Sequence, residues 1–137
     1  MNAYEWEHLS IGVSANFEVT ITEEMLKRFA QDTGDCNPLH MDAEYARAEG
    51  FDGPVVYGLL TASFLSRLAG VHLPGARCLL QGVTATFHHP VYVGDRLTVH
   101  GEVAYRNEVY RQAELVCRIT NQHGAKVASG KLKVGVR

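Results

Sequence analysis

Within the seven residues from Gly34 to His40, GDCNPLH, a carboxylate and an imidazole stand on either side of an Asn-Pro step. A surface bend needs polar residues and a proline, but it has no need of a histidine close to an acid. A carboxylate and an imidazole within hydrogen-bond reach of one atom, about 3 Å, can grip a water from two sides and move its protons. Asp35 and His40 are therefore candidate acid–base groups. Pro38 biases Asn37 toward an extended conformation, so a helix cannot run through, and the bend can turn the two side chains toward a common point. A plainer reading also exists, in which Asp35 and Asn37 only cap a turn.

The elements around the bend follow from periodicity. A helix is expected to start at Thr22, whose hydroxyl can cap it, with Glu23 and Glu24 at the positive end of the helix dipole. Met25, Leu26, Phe29 and Ala30 fall on one face, and Gly34 is placed to end the helix in a left-handed turn. A short second helical pattern, MDAEYARAEG, also ends in glycine. The third, GLLTASFLSRLAG, is apolar or small on nearly every face, with Arg67 as its only charge, which predicts a helix over 57–69 buried on all sides. At about 1.5 Å per residue it spans a small sheet. Residues 78–137 read as strands. RLTVHGEVAYR alternates with Leu97, Val99, Val103 and Tyr105 on one side, and QAELVCRIT with Ala113, Leu115, Cys117 and Ile119. Asn121–Gly124 is a turn signal. Helices first and an antiparallel sheet after them mean an α+β fold, a sheet curled round one helix.

Composition sets the bounds. With 137 residues, 46% of them apolar and 20% charged, the chain fits one domain, taken as residues 1–137, since no repeat or linker divides it. A net charge of −2 without a basic run argues against nucleic acid as a partner. No apolar stretch approaches a membrane span, and the acidic N-terminal segment does not read as a secretory signal. Cys36, Cys78 and Cys117 are odd in number and lack metal or redox spacing, so a reduced, cytoplasmic setting is expected. Cys36 sits beside Asp35, which disfavours a thiolate nucleophile.

The stretches GDCNPLHMD and AEGFDGPVVYGLLTASFLS resemble the hydratase motif of the MaoC-like family, and in particular its (R)-specific enoyl-CoA hydratases. The strand half is similar in length and in FHHPVYVGDRLTV. The resemblance implies the hot-dog fold, an antiparallel sheet wrapped around a central helix. It also implies a homodimer with an acyl tunnel near the subunit interface. The implied reaction is reversible hydration of trans-2-enoyl thioesters to (R)-3-hydroxyacyl thioesters. By match, Asp35 and His40 correspond to the catalytic acid and histidine. Gly58 corresponds to the glycine whose backbone N–H meets the thioester carbonyl, and Ser66 to a serine that supports the acid. Asn37 is expected to support the bend. One position departs: where the family usually carries histidine, this chain has Tyr57, which is expected to line and reshape the thioester pocket.

Hydration needs a water held and deprotonated as it attacks C3, a stabilised thioester oxygen, and a proton for C2. The Asp–His pair suits the first need. The N-terminus of the third helix suits the second, because its N–H groups have no partner within the helix and Gly58 lets a substrate come close. Plainer readings stand beside these roles: Ser66 bonded to its own helix, Tyr57 as packing, Asp42 and Asp52 as turn or cap residues, and the dispersed Lys and Arg as a solvated face. No cofactor is expected. His88 and His89 do not read as a metal pair, because neighbours on a strand point to opposite faces. The expected partner is an acyl-CoA thioester. Two alternatives are dehydration of (R)-3-hydroxyacyl groups on acyl carrier protein, and a non-catalytic acyl-thioester binding protein. A hot-dog thioesterase is disfavoured because its signatures lack the Asp-Asn-Pro-His arrangement.

Overall fold

The sheet begins earlier in the chain than a division into a helical and a strand half implies. In the computed structural model, which describes residues Met1–Arg137, strand β1 (Ser14–Thr20) precedes every α-helix. It buries only Phe17 fully, so its alternation is faint in the sequence. Helix α1 (Glu23–Thr33) follows, capped as expected. Thr22 Oγ1 accepts the Met25 N–H at 3.3 Å, and Gly34 ends the helix at φ 76°. The second helical stretch is two helices. Asn37 caps α2 (Pro38–Met41) and Asp42 caps α3 (Ala43–Ala48). His40 thus stands on a short helix that opens with Pro38, where proline's fixed φ is already helical.

Helix α4 (Gly58–Arg67) runs into a π-helical turn, Leu68–His72, and then into β2 (Cys78–Phe87), β3 (Arg96–Asn107), β4 (Gln112–Thr120) and β5 (Lys126–Val136). The five antiparallel strands lie in the order β1-β3-β4-β5-β2, the hot-dog arrangement of a sheet with a helix packed against it. No helix is long and apolar enough to cross a membrane.

The core sits between α4 with its π-turn and the three inner strands, β3, β4 and β5. Leu97, Val99 and Val103 of β3 and Ala113, Leu115, Cys117 and Ile119 of β4 are buried, as their period of two predicts. Gly101 makes room for the turn, since a Cβ there would lie 2.5 Å from Leu68 Cδ2. Two expectations need correction. Tyr105 is 58% exposed, because the register shifts between Val103 and Tyr105 and the extra residue of that bulge turns the ring to the other face. Helix α4 is not buried on all sides of a single chain. Thr61 and Leu65 face the sheet, while Leu59, Ser63, Ser66 and Arg67 form an open stripe. The sheet does not close round that stripe. Its last strand in spatial order, β2, is itself exposed along almost its whole length.

Candidate active site

Most of the polar groups of the bend are tied to one another. The Asp35 N–H donates to Thr33 Oγ1 at 3.2 Å, and Asp35 Oδ1 accepts the Asn37 N–H at 3.1 Å. Asn37 Oδ1 in turn accepts the Leu39 N–H at 2.9 Å, which starts α2. Asp35 and Asn37 therefore do cap turns, and both side chains remain exposed. Capping occupies one oxygen of the Asp35 carboxylate and leaves the other without a protein donor.

His40 is held from the opposite side. Its Nδ1 lies 2.6 Å from the Val55 carbonyl oxygen. A carbonyl only accepts, so Nδ1 carries the proton, and in the neutral ring Nε2 is left as an acceptor. Val55 is itself fixed: its N–H donates to Leu39 O at 3.0 Å, and the next residue, Val56, donates to Val91 O at 2.8 Å. The extended segment before α4 thus links the histidine's helix to the chain beyond β2.

Tyr57 joins the two halves. Its ring packs against His40, tilted by 30° with centroids 4.1 Å apart, and against Phe29, tilted by 39° at 4.6 Å. Its hydroxyl donates to the Asp35 backbone oxygen at 2.6 Å. The side chain is 2% exposed, and burial, with the nearby Asp35 and Cys36, pushes the phenol's pKa above its ordinary value, so it remains a neutral donor.

A cavity of about 350 Å³ lies where these elements meet the start of α4; His40, Gly58, Thr61, Phe51, Phe87 and Val91 are among its walls. Gly58 is the first residue of α4, and no side chain caps that helix. Its N–H has no partner inside the helix. A Cβ on Gly58 would meet the Phe87 ring at 3.1 Å, so glycine keeps the aromatic wall close to the helix end. A second, larger cavity of about 630 Å³ touches His40 from the side of Lys27, Asp52 and Tyr92. His88 is taken up by Ser129 Oγ at 2.8 Å. Among the cysteines, burial pushes the Cys117 thiol up to about 12, while Cys36 is exposed beside the bend.

Known proteins match this architecture. The family described as MaoC like domain matches residues 9–125. The chain belongs to the MaoC-like family. Its relatives include the (R)-specific enoyl-CoA hydratase of Aeromonas caviae, 35% identical over 128 residues, which are 93% of this chain and 96% of the relative. The solved (R)-hydratase from A. caviae superposes with a TM-score of 0.90 at 35% identity, covering 94% of this chain and 98% of that one. An R-hydratase from Pseudomonas aeruginosa gives 0.89 at 31% identity, covering 96% and 84%. The mitochondrial 3-hydroxyacyl-[acyl-carrier-protein] dehydratase FERN of Solanum lycopersicum is 34% identical over 125 residues, 91% of this chain and 68% of the relative.

Within this MaoC-like chain, the expected site residues do not all converge. His40 and Gly58 share one cavity, and Asn37 holds the bend. Asp35 stands outside the cavity's walls, linked to His40 through Tyr57. Tyr57 is not among the walls, because its ring is packed between His40 and Phe29 and its hydroxyl is already given to Asp35. The expectation that it lines the pocket is replaced by a clamp on the bend. Ser66 is exposed, makes no hydrogen bond and does not reach Asp35 within the chain, since it lies two turns along α4 on the open stripe. Thr61 is the wall residue that the sequence reading did not single out. Its position one turn after Gly58 was the available signal.

Proposed function

We propose that this chain is a hydro-lyase that reversibly hydrates trans-2-enoyl-CoA to (R)-3-hydroxyacyl-CoA. The observation that carries the reading is the state of His40. With Nδ1 committed to Val55, Nε2 is the nitrogen able to accept a proton, and the ring borders the cavity where the free N–H of Gly58 begins α4. In this mechanism the water sits at the edge of the cavity, held between His40 Nε2 and the Asp35 oxygen that the bend leaves without a protein donor. Nε2 takes a proton as the water oxygen bonds to C3, and the π electrons move toward the thioester. The developing charge on the thioester oxygen is met by the Gly58 N–H, a donor worth about 3 kcal/mol at such a position. The dyad then delivers a proton to C2, with Asn37 and Tyr57 keeping its two members in place. One MaoC-like domain over residues 1–137, acting in the cytoplasm with its cysteines reduced, accounts for the chain in this reading.

The tomato relative supports a second reading, dehydration of (R)-3-hydroxyacyl groups on acyl carrier protein by the same chemistry in reverse. Loss of enoyl-thioester absorbance, followed with crotonyl-CoA and with crotonyl carrier protein, separates the two. Faster turnover of the CoA ester is expected. A strong preference for the carrier protein moves the assignment to the dehydratase, and no turnover of either leaves an acyl-thioester binding protein.

The working unit in this reading is a homodimer. Strand β2 is a ten-residue edge with Leu79, Leu80, Val83 and Phe87 exposed, beside an open stripe of α4 that includes Leu59 at 70% exposure. A long apolar edge of this kind invites pairing with another chain. Light scattering at micromolar protein is expected to give twice the mass of 15.1 kDa. A monomer at that concentration contradicts the pairing.

A further inference from the structure

Thr61 is buried to 2% exposure, and its hydroxyl has no hydrogen-bond partner. A threonine inside a helix commonly satisfies its hydroxyl on the carbonyl one turn back. Here that carbonyl, on Tyr57, takes the Thr61 N–H at 3.1 Å, and the hydroxyl stays free. Two other buried polar atoms lack partners, His72 Nε2 and Arg106 Nε, but both belong to side chains committed to stacking, on Phe17 and on Trp6. Thr61 has no such explanation. It borders the cavity that holds His40 and Gly58, whose other walls combine the apolar Phe51, Val56 and Val91 with His88 and His89. Gly58 and Thr61 are three residues apart on one helix and so neighbours on one face, about 5–6 Å from each other.

We infer that Thr61 contacts the C3 oxygen of the substrate: the incoming water in the enoyl state and the C3 hydroxyl in the hydrated state. This rests on the hydratase reading. Once the thioester oxygen is placed at the Gly58 N–H, the oxygen at C3 is the remaining polar atom of the reacting part of the acyl group. A desolvated hydroxyl one turn along the helix is the matching group. The two protons of the water point to His40 Nε2 and to the Asp35 carboxylate, and one lone pair of its oxygen attacks C3. The other lone pair is left to accept the Thr61 hydroxyl proton. A hydroxyl without its own partner can donate there with no bond to give up, so the contact also helps to choose the face of C3 on which the oxygen arrives.

The test measures binding, in an Asp35→Asn background that slows turnover, of 3-hydroxybutyryl and butyryl thioesters on the carrier that supports turnover. Thr61→Val, which keeps the shape and removes the hydroxyl, is expected to weaken the hydroxylated ligand about tenfold, the worth of one hydrogen bond. The butyryl ligand is expected to bind as before, and Thr61→Ser to recover the loss. Thr61→Ala, read the same way, serves if the valine variant does not fold. An equal loss for both ligands, or no loss for either, overturns the contact. The hydratase reading fails separately, by absence of crotonyl turnover in the unaltered protein.

Discussion

Between Gly34 and His40 most of the polar groups are bonded, whereas at the start of α4 the N–H groups ahead of Thr61 and the Thr61 hydroxyl stay free. His40, at the end of the bend, and Gly58 and Thr61, at the helix start, border one cavity, and the two segments differ in what the sequence invests in them. The bend has Thr33, Asn37, Val55 and Tyr57 acting on it, so its geometry is set before any ligand arrives. The helix start has no capping side chain, so its donors remain available. In the proposed mechanism the rigid side carries the proton-transfer groups and the open side receives charge, which is what hydration of an enoyl thioester asks for.

The largest effect is expected from the rigid side. Asp35→Asn keeps the shape of the bend and removes the carboxylate's charge, and His40→Ala removes the ring that Val55 orients and with it the proposed base. Each is expected to cut kcat by about 10²–10⁴ with a modest change in KM, since the lost interactions matter most in the transition state. Circular dichroism and melting of the same samples separate lost chemistry from a lost loop.

How much of this contrast was legible depended on how local its causes are. The Thr22 cap, the Gly34 stop and the alternation of β4 are set by neighbours a few residues apart, and they appear in the sequence as they do in the fold. The Asp-Asn-Pro-His order was equally visible, because turn chemistry is local. The bulge that exposes Tyr105 was not, since register is settled between strands. Strand β1 was hidden because an edge strand with one fully buried residue has little pattern to show. The open stripe on α4 was missed because apolar and small residues look alike whether their cover comes from this sheet or from elsewhere. Tyr57 reads as a pocket residue only from its place before Gly58, where the family usually carries histidine. Its actual partners, Asp35, Phe29 and His40, lie 17 to 28 positions away and come together only in the fold.

Tyr57→Phe sharpens the contrast at intermediate size. It keeps the ring against His40 and removes only the bond to Asp35, so about a tenfold fall in kcat is expected, the worth of one hydrogen bond, with KM little changed. Parental kinetics across several enoyl chain lengths would make Tyr57 simple packing. The smallest effect is expected on the open side. Gly58→Ala keeps the N–H and adds a methyl that crowds the Phe87 ring, which is 48% exposed and able to yield. A few-fold rise in KM is expected, relieved when Phe87→Ala is added. A loss as deep as that of the His40 variant would mean that the helix start is as tightly specified as the bend, and would erase the distinction between the two sides.

The claim under all of this is that Asp35 and His40 act on one water as a unit. The most direct measurement is kcat for crotonyl thioester hydration by Asp35→Asn, His40→Ala and the double variant, on folded protein. Groups that share one task are non-additive, so the double variant is expected to be little worse than the poorer single one. Losses that multiply, or two folded single variants with near-parental kcat, would contradict the dyad.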